Sequence, residues 1–162
     1  MTPAQTAAVK AYILSVPALA ALTSGPGTDY NTIALTLSAD ASPAFTVWRT
    51  SVTRDEIQND DAFNWTVVDN LSTGSKYRIW EWMFQNGPVN PSKANIRAGV
   101  DATWVGNAQL LAVRAAVYPH LKRLASQVEK LFATGTGSDA VPATMVYEGG
   151  ISLGEVASMF NV

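Results

Sequence analysis

Apolar positions along this chain recur mostly at helical spacing, in short blocks broken by Pro, Gly and Asn. Thr2-Pro3-Ala4-Gln5 reads as a helix start, with Thr2 as cap, Pro3 at the first helical position and Gln5 returning a bond to the cap. Ala8, Tyr12 and Val16 then share a stripe with Val9 and Ile13. Pro17 interrupts that helix, because proline lacks the backbone donor and crowds the preceding turn. A short piece from Ala18 to Leu22 follows, stopped by Ser24-Gly25-Pro26-Gly27.

Between 31 and 39 the pattern conflicts. Ile33, Leu35 and Leu37 alternate as in a strand, yet Asp29 or Asn31 can cap a helix and Ala34, Leu35 and Ala39 favour one; the expectation is helix. Residues 40–52 read as extended, since Pro43 biases its predecessor away from helix and β-formers follow. Thr53-Arg-Asp-Glu56 is a capping box for a short helix through Gln58, and Asn64 to Asp69 makes another helical turn.

Ser72-Thr-Gly-Ser75 leads into a helix from Lys76 to Phe84, where Ile79/Met83 and Trp80/Phe84 are i, i+4 pairs. Trp80 and Phe84 are expected in the core, and Trp82, off that stripe, outward. Asn86-Gly87-Pro88 closes this helix. Pro91-Ser92 opens another from Lys93 to about Trp104, with Ile96, Val100 and Trp104 on one face. Asn107 caps what reads as the longest helix, running to Phe132 with a kink at Pro119. Beyond Ala133 lies a Gly/Thr-rich loop, then strand-like Ala143 to Tyr147, then a capping box at Ser152 starting a last helix to Phe160.

The resulting expectation is a mainly α, single-domain helical bundle. Residues 1–132 form the core, with an extended arm near 40–52, and 133–162 form a C-terminal loop and β-prone tail. A chain truncated after 133 is expected to keep its helical fold.

Composition narrows the function more by exclusion than by signal. The 162 residues include no cysteine and one histidine, His120, so thiol chemistry, disulfides and zinc knuckles are out. His120 has no partner suggested by sequence and is expected on the surface beside the Pro119 kink. Asp55, Glu56, Asp60 and Asp61 lack the alternation and glycine of a calcium loop, and read as a solvated turn or a docking surface. Gly135-Thr-Gly137 lacks the Lys-Ser/Thr of a phosphate loop; it reads as a segment that orders on contact. No catalytic, cofactor or metal residue is assigned.

A net charge of −2, with eleven scattered Lys and Arg, argues against nucleic-acid binding. No stretch approaches the ~20 apolar residues of a membrane span, nor does the N-terminus resemble a secretory signal. The low charged fraction, 15 %, and the five tryptophans suit a protein that packs against partners.

Four stretches, taken in order, carry a resemblance: 41–52 (ASPAFTVWRTSV), 90–99 (NPSKANIRAG), 131–138 (LFATGTGS) and 142–149 (PATMVYEG). Over most of the chain from about residue 28 the sequence resembles a family of small virion proteins from head-morphogenesis regions of long-tailed bacteriophages. The resemblance implies a head-to-tail adaptor in the virion neck, made in the host cytoplasm. Such a protein forms a twelve-fold ring of itself between the portal protein and the next neck or tail protein, with DNA only as passing cargo. Its docking residues are then expected among Trp48, Arg49, Trp82, Thr134, Gly135, Thr136, Gly137, Met145, Val146 and Tyr147. The 133–150 segment would add an edge strand to a partner. The competing expectations are a capsid decoration or head-completion protein, and a DNA- or peptide-binding accessory domain outside the virion.

Overall fold

Thr2 caps the first helix as its sequence predicts. Its hydroxyl accepts the Gln5 N–H, and the Gln5 side chain accepts the Thr2 N–H. The computed structural model describes residues 1–69 and 75–161, so the turn expected at Ser72-Thr-Gly lies outside the described residues. Ten α-helices and a single two-stranded sheet are present among the described residues, and the protein is mainly α.

Packing divides the chain into two compact units. The first comprises Met1–Val47 and Leu124–Val162; the second is Trp48–Arg123. The boundary expected at 132/133 is therefore not where the packing divides the chain. The C-terminal segment belongs to the same unit as the N-terminal helices.

The first unit contains α1 (Pro3–Ser15), α2 (Pro17–Ala20) and α3 (Tyr30–Ser38). Pro17 ends α1, as expected. The 31–39 ambiguity resolves to helix because Asp29 accepts the Thr32 N–H at 2.9 Å, satisfying an orphan donor of the first turn. Val9 and Ile13 of α1 and Ile33 and Leu37 of α3 are fully buried, together with Val128, Val156 and Met159 from the C-terminal segment. Each such side chain contributes about 1.5–3 kcal/mol by leaving water. A smaller cluster joins Val47, Ala125, Ala143 and Met145.

The second unit contains α4 (Arg54–Gln58), α5 (Trp65–Asp69), α6 (Ser75–Phe84), α7 (Ala94–Thr103) and α8 (Ala108–Val117). Its core is aromatic: Phe63, Trp80 and Trp104 are buried, with ring centroids 5.2 Å apart for Trp80 and Trp104 and 4.9 Å for Trp80 and Phe84. The expected stripes hold, since Val100 and Trp104 are buried and Ile96 packs against the same cluster.

The long helix expected from Asn107 to Phe132 does not form. Asn107 caps α8, but that helix ends at Val117, and Pro119 sits in a 3-10 turn, Tyr118–Leu121. The chain then extends through β2 (Lys122–Leu124), which pairs with β1 (Thr46–Trp48), before α9 (Gln127–Phe132) begins. The restart has a local cause. Ser126 and Glu129 form a capping box, the Ser126 hydroxyl accepting the Glu129 N–H and the Glu129 carboxylate accepting the Ser126 N–H. A capped start at 126 cannot lie inside a continuous helix. The terminal helix, α10 (Leu153–Phe160), starts at the Ser152 capping box.

Candidate functional site

Ala143 to Tyr147 is not a strand of a free edge. Ala143 donates to the Thr46 carbonyl at 2.9 Å, and Thr134 and Thr144 exchange backbone hydrogen bonds at 2.8 and 2.9 Å. The backbone groups that an added partner strand would need at these positions are thus committed within the first unit, which corrects the expectation of a docking tail. Met145 is buried, and Tyr147 packs edge-on to Phe132 at 5.8 Å between centroids while its hydroxyl donates to the Gly150 carbonyl.

Thr134, Gly135 and Thr136 are solvent-facing but ordered into the unit, with the Thr136 hydroxyl donating to the Val141 carbonyl at 2.9 Å. Gly137 is buried at positive φ, 66°, its carbonyl accepts the Thr46 N–H, and a Cβ there would run into the Phe45 ring. It is a packing glycine, not part of a phosphate cradle. Of this segment's candidates, Val146 alone is an exposed large hydrophobic residue, at 70 %.

Trp48 and Arg49 are also held internally, within the second unit. The Arg97 guanidinium lies 4.7 Å over the Trp48 ring, and Tyr118 meets that ring edge-on. Arg49 donates to the Glu56 carboxylate at 2.7 Å and to the His120 carbonyl at 3.2 Å. These contacts give both residues an intramolecular role, in place of the expected docking one.

The same contacts organise the carboxylate turn. Glu56 accepts the Thr53 N–H and faces Arg49; the Thr53 backbone hydrogen bond and then the Arg49 contact hold its carboxyl down at about 2. Asp60 accepts the Ala62 N–H and lies 2.8 Å from Nε2 of His120; the first of these and then the histidine hold its pKa below the usual carboxylate range. His120 is therefore the partner of Asp60, with its side chain 19 % exposed, and not a helix-kink surface residue. Sequence reasoning missed this pair because its members are 60 residues apart and nothing local links them. Nearby, burial and then a hydrogen bond to Asp101 push the Tyr118 hydroxyl up to about 12. Among the described residues no group of three or more His, Cys, Asp or Glu is placed to hold a metal ion.

The feature least accounted for by the fold is Trp82. It stands on the outer face of α6, 71 % exposed, as the helical spacing predicts, while Trp80 on the opposite face is buried. Trp82 borders a groove of ≈ 510 Å³ that is also lined by Arg54, Asp55, Glu81, Phe84 and Pro88. Gly87, at φ 106°, makes the turn that brings Pro88 to this groove after α6 ends. The indole face and the Phe84 and Pro88 surfaces offer apolar area; the charged groups on the rim offer orientation. That is the chemistry of a protein contact. No described helix is long and apolar enough to cross a membrane.

Compared with known proteins, the chain matches no protein family, no curated sequence and no solved structure.

Proposed function

We propose that the chain is a non-enzymatic structural protein of a tailed-phage virion, a head-to-tail adaptor that assembles as a ring between the portal and the next neck or tail protein. The order of the four sequence stretches at 41–52, 90–99, 131–138 and 142–149 supports the virion assignment. The observation that carries the assembly reading is Trp82. A tryptophan left 71 % exposed on a packed helix is expensive to keep in water and is the residue type most enriched at interaction hot spots.

In this reading the two aromatic faces of α6 divide the work. Trp80 and Phe84 anchor the helix to the core of its own unit, so that Trp82 is presented on a fixed frame. A fixed anchor costs less ordering entropy on association than a mobile one. The net charge of −2 suits a channel wall past which DNA slides, since a dense set of phosphate contacts would grip it.

Localisation in purified particles by cryo-electron microscopy, with symmetry relaxed at the portal vertex, tests the assignment. Density for this chain as a ring between portal and tail is the expected result. Density over the icosahedral shell would make it a decoration protein, and absence from the particle would overturn the virion reading.

A further inference from the structure

The two units carry opposite formal charge. The unit of Met1–Val47 and Leu124–Val162 has two Lys and Arg against six Asp and Glu, a net −4. The unit Trp48–Arg123 has nine against seven, a net +2. A chain divided in this way is charge-complementary to another copy of itself when unlike units meet.

Each unit also presents one large hydrophobic residue more openly than its other members: Trp82 at 71 % in the basic unit and Val146 at 70 % in the acidic one. Arg54 lines the groove beside Trp82, and Arg78 lies one helical turn before Trp82 on the same face of α6. The two acids of that groove are locally offset. Glu81 accepts a hydrogen bond from the Tyr77 hydroxyl, and Asp55 sits in the first turn of α4, where the helix dipole favours a carboxylate. Val146, in contrast, lies in a loop with acidic Glu148 two residues on, and exposed Val141 follows acidic Asp139.

We infer that the Trp82 groove receives the Val146 loop of a second copy of this chain, the basic unit of one copy facing the acidic unit of the next. The inference rests on the self-assembly part of the adaptor reading and names its two surfaces. Because those surfaces differ, the contact propagates from copy to copy and closes into a ring or runs on as an open chain. Trp82 supplies the desolvated anchor, while the charged rims set orientation and association rate.

The test is sedimentation velocity on the purified full chain over a concentration series. Wild type is expected to self-associate, more weakly as ionic strength rises from about 0.1 M to about 1 M and the screening length falls from about 10 Å to about 3 Å. Trp82→Ala and Val146→Asp, each checked for a native circular-dichroism spectrum, are expected to lose more than about tenfold in association, as anchor truncations do. Mixed together they are expected to form a one-to-one complex that grows no further. Val146→Asp still has the groove, and Trp82→Ala still has the loop.

Wild type that stays monomeric throughout, either variant associating as wild type does, or a mixture that forms no complex would each overturn the inference. Association that ignores salt would overturn its electrostatic half. Particle localisation is a separate measurement, so loss of the adaptor assignment and loss of this interface are distinguishable.

Discussion

Glu129, a carboxylate only 2 % exposed, accepts the backbone N–H of Gly149 at 2.9 Å through one oxygen and that of Ser126 at 2.8 Å through the other. One side chain thus caps the start of α9 and fixes the C-terminal segment to it. Glu129→Ala removes both acceptors and leaves buried donors unmatched, so it is expected to cost about 3 kcal/mol or more, charged hydrogen bonds and caps contributing roughly 1–3 each. Glu129→Gln, which keeps the shape and acceptor but not the charge, is expected to cost less. Urea unfolding of the two variants checks the order; equal losses would show that the charge plays no part.

Truncation after residue 133 is expected to unfold the first unit. The deleted segment contributes Ala143, Met145, Ile151, Val156 and Met159, all buried, and α10 packs on α3 and α1. Loss of several core side chains, at about 2–5 kcal/mol for each large one, exceeds the stability of an ordinary domain. A truncated chain with native helical content and a sharp thermal transition would contradict this.

Gly137 gives a sharper local test. Gly137→Ala meets both a positive φ of 66° and the Phe45 ring, and is expected to destabilise by about 2–5 kcal/mol, combining left-handed strain with overpacking. If Gly137 instead served a partner, thermal stability would hold and only binding would fall.

The two tryptophans on opposite faces of α6 should separate stability from assembly. Trp80→Ala, at a site 2 % exposed, is expected to cost about 3–5 kcal/mol. Trp82→Ala, at a site 71 % exposed, is expected to stay within about 0.5 kcal/mol of wild type. Thermal or denaturant unfolding distinguishes them directly.

The pH dependence follows from Glu56. Its folded-state pKa is depressed from 4.5 to about 2, chiefly by the Thr53 backbone hydrogen bond and next by Arg49. A depressed carboxyl stabilises the fold when ionised. Its contribution is therefore complete above the free value of 4.5 and is lost as pH falls toward about 2. Asp60 shifts in the same direction. Side-chain carboxyl NMR titration should show Glu56 ionised well below 4.5, and Arg49→Met should raise its pKa only part of the way, because the Thr53 bond remains.

What the sequence by itself determined is where helices start. The capping boxes at Thr2, Thr53 and Ser152 and the caps at Asp29 and Asn107 are hydrogen bonds between residues three apart, so their chemistry is local and legible. The outward aim of Trp82 and the burial of Trp80 follow from helical period in the same way. The Ser126–Glu129 box was equally present in the residues, but the apolar run across Pro119 masked it. Only the tertiary structure decided the rest. Arg49 with Glu56, His120 with Asp60 and Glu129 with Gly149 are joined by folding across 7, 60 and 20 residues. The segment after 133 has the composition of a free tail, yet it supplies side chains and backbone partners to a unit begun at the N-terminus. Composition reports how costly a segment is to order; which surface it can bury against is set by residues far away in the chain.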